Sequence, residues 1–370
     1  MLNISKVPKY LNLAKNLLLK KNIPISLIIF LTNRCNARCS FCFIDFDDGF
    51  TQNKKNELSI EEYKKLAKSL GKDLHHLNFT GGEPFLRSDF GDIVKSFYQY
   101  CKISSIQISS NGSYPKRISK FIQDICKPHK NINFVFQFSI DSFPDKHNKI
   151  RKIPGLFDRT IESFEIVKNS FKNCIAACNL VVSESNYFEI IEIYEYLTTK
   201  MKIETINPII VRDEGVYKTD PDLKQKILDA YKKLTQKIVE DIKSKKIRGF
   251  KNFSLEGAFL NGKNELAYDL ISSSYIRPNF TTYCVAGKIF GVIGSDGSVY
   301  PCEILNKKLG NLRDVDFDLK KIWKNKQSTD TRKWIKDTKC TCHWECIYSY
   351  NIISNKKQIS NTIKKSIKYL

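Results

Sequence analysis

The sequence predicts an α/β fold in which six strand–helix units form a parallel sheet, followed by a small cysteine-rich β-hairpin extension. Short apolar runs alternate with amphipathic helical stretches, the pattern of parallel strands joined by crossover helices. Polar clusters fall at or just after the ends of those runs, on the edge where parallel sheets place their ligands. A separate cysteine group lies far downstream on a strand–turn–strand pattern.

Taken in order, residues 1–22 are expected to form an N-terminal helix and residues 23–215 the six-unit sheet. The strands are expected at Ile25 to Leu31, His76 to Thr80, Ser105 to Ser109, Asn133 to Ile140, Ile175 to Val182 and Glu204 to Val211. Ser59 and Glu62 form a capping box ahead of Tyr63, Leu66 and Leu70, and Asn186 precedes the stripe Ile190, Ile191, Tyr194 and Leu197. Residues 216–280 are expected to connect the sheet to the extension. Within them Asp220 to Lys246 is a lysine-rich helix with Ile227, Leu228, Tyr231, Leu234 and Ile238 on one side. The stretch from there to Tyr283 has weak periodicity and includes Ser272, Ser273 and Ser274, so it reads as a covering loop or a linker. Residues 281–350 hold the hairpin, with Ile289 to Ile293 and Ser298 to Tyr300 joined by Ser295, Asp296 and Gly297. Residues 351–370 are expected to form a basic helix whose Ile359, Ile363 and Ile367, four apart, dock on the protein's own body.

The chain has 370 residues, 42% of them hydrophobic, with 24 Phe and 17 Tyr, enough for a sizeable core. Its formal net charge of +22 comes mostly from lysines spread along the whole chain. Dispersed lysine marks a solvated surface, so an acidic substrate or anionic surface is a stronger reading than nucleic acid. Twelve cysteines in a chain too long to need disulfide staples point to a reducing, cytoplasmic setting. Ile25 to Leu31 is too short to cross a bilayer and leads to Arg34 and Arg38 rather than to a cleavage site.

Cys35, Cys39 and Cys42 stand in the spacing C-x3-C-x2-C directly after the first expected strand. Three thiolates on a four-iron cube leave one iron with an open position, so the triplet reads as a cluster built to bind a further group. A zinc site is the competing reading, but zinc loops add a second cysteine pair or spaced histidines, and His75 and His76 are adjacent. Gly81, Gly82 and Glu83 follow the second strand, Ser109, Ser110 and Asn111 the third, and Ser139 and Asp141 with His147 and Arg151 the fourth. Two glycines let backbone approach a ligand closely, and Glu83 is an acceptor for an ammonium group. Ser139 and Asp141 suit ribose hydroxyls, and Arg151 suits a carboxylate. His147 reads as a surface residue.

With Phe41 just before the third cysteine, these motifs resemble those of the radical S-adenosylmethionine (radical SAM) enzymes over roughly residues 20–215. The resemblance implies a partial (β/α)6 TIM-like barrel, with a [4Fe-4S] cluster on Cys35, Cys39 and Cys42 and S-adenosyl-L-methionine on its open iron. It implies that Glu83 and the Gly81–Gly82 backbone meet the methionine amino group. Arg151 would meet the carboxylate, Ser139 and Asp141 the ribose, and Asn111 would be a neighbour. Reduction of the cluster, by a partner such as flavodoxin or ferredoxin, would then give a 5′-deoxyadenosyl radical that abstracts hydrogen from substrate.

Downstream, Cys284, Gly297 and Cys302 are spaced C-x12-G-x4-C and are followed by Cys340, Cys342 and Cys346. This resembles the SPASM or twitch extension of the same family and implies a second, auxiliary [4Fe-4S] cluster. Its ligands would be Cys284, Cys302 and two of Cys340, Cys342 and Cys346, with Cys342 and Cys346 favoured; a structural zinc site using His343 is the alternative. Cys101, Cys126, Cys174 and Cys178 read as small buried apolar residues. Peptide maturation is the expected function, as in many SPASM-type relatives. Dehydrogenation of a small polar molecule or sugar stays close behind, because only residues 1–24 precede the first strand. A basic, non-catalytic zinc or iron–sulfur protein binding nucleic acid is the alternative from another class.

Overall fold

The computed structural model describes residues 23–250 and 254–370 and contains all six expected strand–helix units. Strands β1 (Ser26–Thr32), β2 (His76–Gly81), β3 (Ser105–Ser110), β4 (Asn133–Ser139), β5 (Cys174–Val182) and β6 (Ile206–Ile210) are parallel neighbours in chain order. The expected N-terminal helix lies outside the described residues. Helices α1 (Ile60–Leu70), α2 (Phe90–Tyr100), α3 (Pro115–Phe121), α4 (Pro144–Arg151), α5 (Leu156–Lys168) and α6 (Ile190–Thr199) make the crossovers.

The capping box opens α1: Glu62 N–H donates to Ser59 Oγ at 3.2 Å and Ser59 N–H to Glu62 Oε2 at 2.7 Å. Tyr63, Leu66, Ala67 and Leu70 of this helix are buried. Phe79 of β2 meets Phe90 and Phe97 of α2 edge-to-face, with ring centroids 5.3 and 5.8 Å apart, which locks that helix to the sheet. Asn186 stands at the start of a short 3-10 turn but makes no side-chain cap there. Its Nδ2 donates to the carbonyls of Asp141 and Val181, tying the ends of β4 and β5 together.

The sheet does not close into a full barrel. Beyond β1 it continues with β7 (Phe290–Ile293), parallel to β1, and then β8 (Ser298–Tyr300) and β9 (Gly310–Asn311), both antiparallel. The hairpin therefore extends the barrel sheet instead of forming a separate lobe. Flanked on both sides, β1 is buried along all seven residues.

Helix α7 (Lys224–Lys243) carries the expected apolar stripe. The stretch that follows is not a loop or linker: Leu255–Ser274 is a 20-residue helix, α8. Its periodicity is weak because it buries residues around most of its circumference, among them Gly257, Ala258, Leu266, Ala267, Leu270 and Ile271. Helices α9 (Leu319–Lys324), α10 (Lys326–Asp337), α11 (Glu345–Ile353) and α12 (Lys356–Ser366) complete the chain. The face that α12 buries is not its isoleucine stripe. Gln358, Thr362 and Ser366 are buried, while Ile363 and Ile367 are 52% and 65% exposed. Ser366 packs onto Gly262 of α8, a contact so close that only small side chains fit it. Cys101, Cys126, Cys174 and Cys178 are buried as expected. Among the described residues no helix is long and apolar enough to cross a membrane.

Candidate active site

The ends of β1 to β4 open onto one cavity of about 1190 Å³, lined by Cys35, Cys39, Phe41, Cys42, Gly81, Gly82, Asn111, Ser139 and Arg151. The cysteine loop has no regular structure and is held by its neighbours' backbone. Arg38 N–H donates to the Arg151 carbonyl at 3.1 Å and Ser40 N–H to that of Ile150 at 3.3 Å. On the other side Gly82 N–H donates to Thr32 O at 2.7 Å and Glu83 N–H to Arg34 O at 3.0 Å.

A Cβ on Gly82 would lie 2.1 Å from the Arg34 carbonyl oxygen. This glycine thus lets one loop press on another, a purpose the sequence does not separate from ligand approach. Gly82→Ala is expected to push the cysteine loop away and to lower bound iron after anaerobic reconstitution by about half, since a second cluster would remain. Iron and sulfide assays check this.

Glu83 is fully buried, beside the cavity-lining Ser110 and Asn111. It accepts from the Ser110 hydroxyl at 3.0 Å, Asn111 N–H at 2.8 Å and Phe85 N–H at 3.0 Å. Burial outweighs these donors and pushes its carboxyl up to about 7. Asp141 is also fully buried, and both Arg151 Nε (2.8 Å) and Nη2 (2.6 Å) reach its Oδ2. The two residues read from the sequence as separate ligands are therefore partners, and Arg151 is the member that lines the cavity. His147 is not a surface residue: it is 0% exposed, with Nδ1 accepting from Asp141 N–H at 3.2 Å. Burial, then Arg151, hold its imidazole far below the usual value, so it is neutral. Asn111 Nδ2 donates to Asn36 Oδ1 at 2.9 Å and lies 3.8 Å from Cys35 Sγ.

Burial raises the thiols of Cys35 to about 12 and Cys42 to about 11. Downstream, Cys284, Cys302, Cys340 and Cys342 interact electrostatically with one another. Cys346 lies in the first turn of α11. Its electrostatic neighbours are Glu345, Glu303 and Arg212, and it lines the cavity. Arg212, at the end of β6, was not singled out by the sequence; it bonds to Glu303 and, at 2.8 Å, to Glu345, and it stacks on Phe43 and Trp344. An apolar cluster containing Phe30, Ile44, Phe290 and Trp344 packs against Cys42 and Phe43 and also against Cys284, Cys340, Cys342 and Cys346. Among the described residues no three His, Cys, Asp or Glu side chains stand close enough to hold a single metal ion. Three cavity-facing thiols beside a cationic Arg151, and a second set of four, are a donor set that suits thiolate-bound clusters.

Below the mouth the cavity runs down the barrel between Asn78, Gln107, Gln137, Asn179 and Asn207, one carboxamide from each of β2 to β6. Asn78 stands opposite Gln107 in the sheet register, and Asn179 opposite Asn207. Its far end is lined by Ser26, His76, Lys263, Ser349 and Tyr350.

The radical SAM superfamily profile matches residues 29–197, and the chain belongs to that superfamily. The SPASM profile, an iron–sulfur cluster-binding domain, matches residues 284–347, which makes it a member with a SPASM domain. The cofactors of this class are a [4Fe-4S] cluster with S-adenosylmethionine, and auxiliary iron–sulfur clusters. Among curated proteins, the S-adenosylmethionine-dependent nucleotide dehydratase of Oncorhynchus mykiss is 40% identical over 97 residues, 24% of this chain and 25% of that protein. The GTP 3′,8-cyclase of Campylobacter jejuni subsp. doylei is 29% identical over 179 residues, 46% of this chain and 52% of that protein. The chain thus spans from a quarter to about half of these relatives' length. Among solved structures, anSMEcpe with bound AdoMet aligns with a TM-score of 0.59 at 20% identity, covering 94% of this chain and 93% of that one. Streptococcus suis SuiB bound to precursor peptide SuiA aligns at 0.57 and 16% identity, covering 94% and 77%. At such identities these likenesses establish the fold.

Proposed function

We propose that the chain is a radical SAM oxidoreductase that abstracts a hydrogen atom from a peptide. The observation that carries the reading is the single cavity joining the Cys35, Cys39 and Cys42 mouth to the carboxamide-lined barrel and to Cys346 of the downstream group. At about 1190 Å³ it exceeds the usual range for small-molecule sites, roughly 300–1,000 Å³. Two structures of the same fold carry peptides, anSMEcpe with the Cp18Cys peptide and SuiB with SuiA.

When bound, S-adenosylmethionine supplies a 5′-deoxyadenosyl radical on one-electron reduction by the mouth cluster. Cys35, Cys39 and Cys42 hold that cluster. Arg151 meets the cofactor's carboxylate, Ser139 its ribose, and the Gly81–Gly82 backbone its amino group, with Phe41 and Asn111 alongside. Glu83 and Asp141 act from behind: Glu83 orders the Ser110–Asn111 turn, and Asp141 aims Arg151. Cys284, Cys302, Cys340 and Cys342 are the four candidate ligands of an auxiliary cluster, and Cys346 is the spare thiol.

Deuterium transfer tests the substrate class. Anaerobically reconstituted protein is reduced with S-adenosylmethionine and offered either a perdeuterated peptide fraction or deuterated nucleoside triphosphates. Deuterium is expected in 5′-deoxyadenosine with the peptides. Label arriving only from nucleotides would sink the peptide reading in favour of the chemistry named for the curated relatives.

A further inference from the structure

We infer that the substrate carries an anionic group, which Lys263 receives at the end of the cavity farthest from the cysteine triplet. The inference rests on the reading of this cavity as a substrate channel and names the class of substrate it takes.

Three cations reach into the cavity from its walls: Arg151, Arg212 and Lys263. Arg151 is matched by Asp141, and Arg212 by Glu303 and Glu345. Lys263 is different. Among the described residues its Nζ has a single hydrogen-bond partner, the Ser349 hydroxyl at 2.9 Å, and no carboxylate. An ammonium has three donors, and leaving two of them unused inside a protein is costly unless something in the cavity accepts them. Burial alone lowers this amine to about 8, which leaves it largely protonated at neutral pH. Its neighbour His76 cannot serve as counter-charge: burial, then Lys263 itself, push that imidazole down to about 4. His76 Nδ1 is already occupied by Ser26 Oγ and Tyr350 OH, each at 3.0 Å.

The rim at this end adds to the same field. Lys168, Lys172, Lys202 and Arg248 line it, against Glu204 and Glu256. All four cations are exposed, so they steer an anion more than they bind it. The walls between rim and mouth are carboxamides, which hydrogen-bond a polar chain without repelling an acid.

Distance selects the kind of molecule. Lys263 lies by His76, the first residue of β2, and the mouth lies by Gly81, the last. Five strand steps at ~3.3 Å each separate the two ends by about 17 Å. An extended peptide covers that span in about five residues. The anion is therefore an acidic side chain or terminal carboxylate a few positions from the residue that reacts.

The test uses the anaerobically reconstituted holoprotein with S-adenosylmethionine bound, and calorimetry at neutral pH. The probes are acetyl-Ala-Ala-Glu-Ala-Ala-amide, its Gln counterpart, and glutarate. The Glu peptide is expected to bind at least tenfold tighter than the Gln peptide, and Lys263→Met and Lys263→Gln to remove the difference. Glutarate competing as well as the peptide would keep the anionic site and assign it to a small acid. Equal binding of the two peptides, binding of neither, or discrimination that survives in both variants would overturn the inference. The unaltered protein is also assayed for 5′-deoxyadenosine formed with dithionite alone, and iron analysis checks that both variants still carry their clusters. Absence of that product in the unaltered protein would count against the radical reading, separately from the anion site.

Discussion

A Cys35→Ala, Cys39→Ala, Cys42→Ala triple variant is expected to lose 5′-deoxyadenosine formation by ~10³-fold or more while keeping about four of about eight irons per chain. The loss is large because, among the described residues, the three thiols are the only cysteines at the mouth end of the cavity, so no neighbouring cysteine can substitute. The fold should survive. The loop's attachments run through backbone groups of Arg38, Ser40, Thr32 and Arg34, none of which the substitutions remove. Cys284, Cys302, Cys340 and Cys342 lie in segments flanking β7, β8 and α11, outside the cysteine loop of the triplet. Iron and sulfide analysis together with chromatography of the nucleoside product measure both effects. Retained product at the unaltered rate would rule out the triplet as the radical-generating site.

The six strands and the triplet were legible in the sequence because each depends on local pattern: apolar runs for buried parallel strands, and fixed spacing for a three-thiol loop. The barrel's continuation into β7 was not, since strand pairing between Leu27 and Gly291 is a contact across most of the chain. Helix α8 was missed for a related reason. A helix packed by α7, α11 and α12 buries residues around most of its circumference, so the 3.6-residue signal that marks a surface helix is weak. At the site, the polar groups at strand ends were legible, but not how they engage one another. Glu83 and Asp141 look like ligands in one dimension, and only the fold shows that Ser110, Asn111 and Arg151 already engage them. Arg212 and Lys263 carried no motif. Their interest comes from what surrounds them in space, two carboxylates for one and none for the other.

The Asp141–Arg151 pair lets position and binding be separated. Arg151→Met removes a charge that lies against a fully buried carboxylate, whose remaining donor is Val181 N–H at 3.3 Å. Breaking a buried pair in this way costs about 3–5 kcal/mol, because the surviving charge has lost its counter-ion without regaining water. A matching loss is expected in anaerobic urea unfolding, with at least tenfold weaker S-adenosylmethionine binding. Adding Asp141→Leu should restore most of the stability, since an apolar pair of similar volume carries no desolvation cost. It should not restore the cofactor's affinity, because the guanidinium that meets the cofactor's carboxylate is still missing. Recovery of both in the double variant would show that Arg151 only neutralises Asp141. Recovery of stability alone would assign Arg151 to the cofactor and Asp141 to holding it in place.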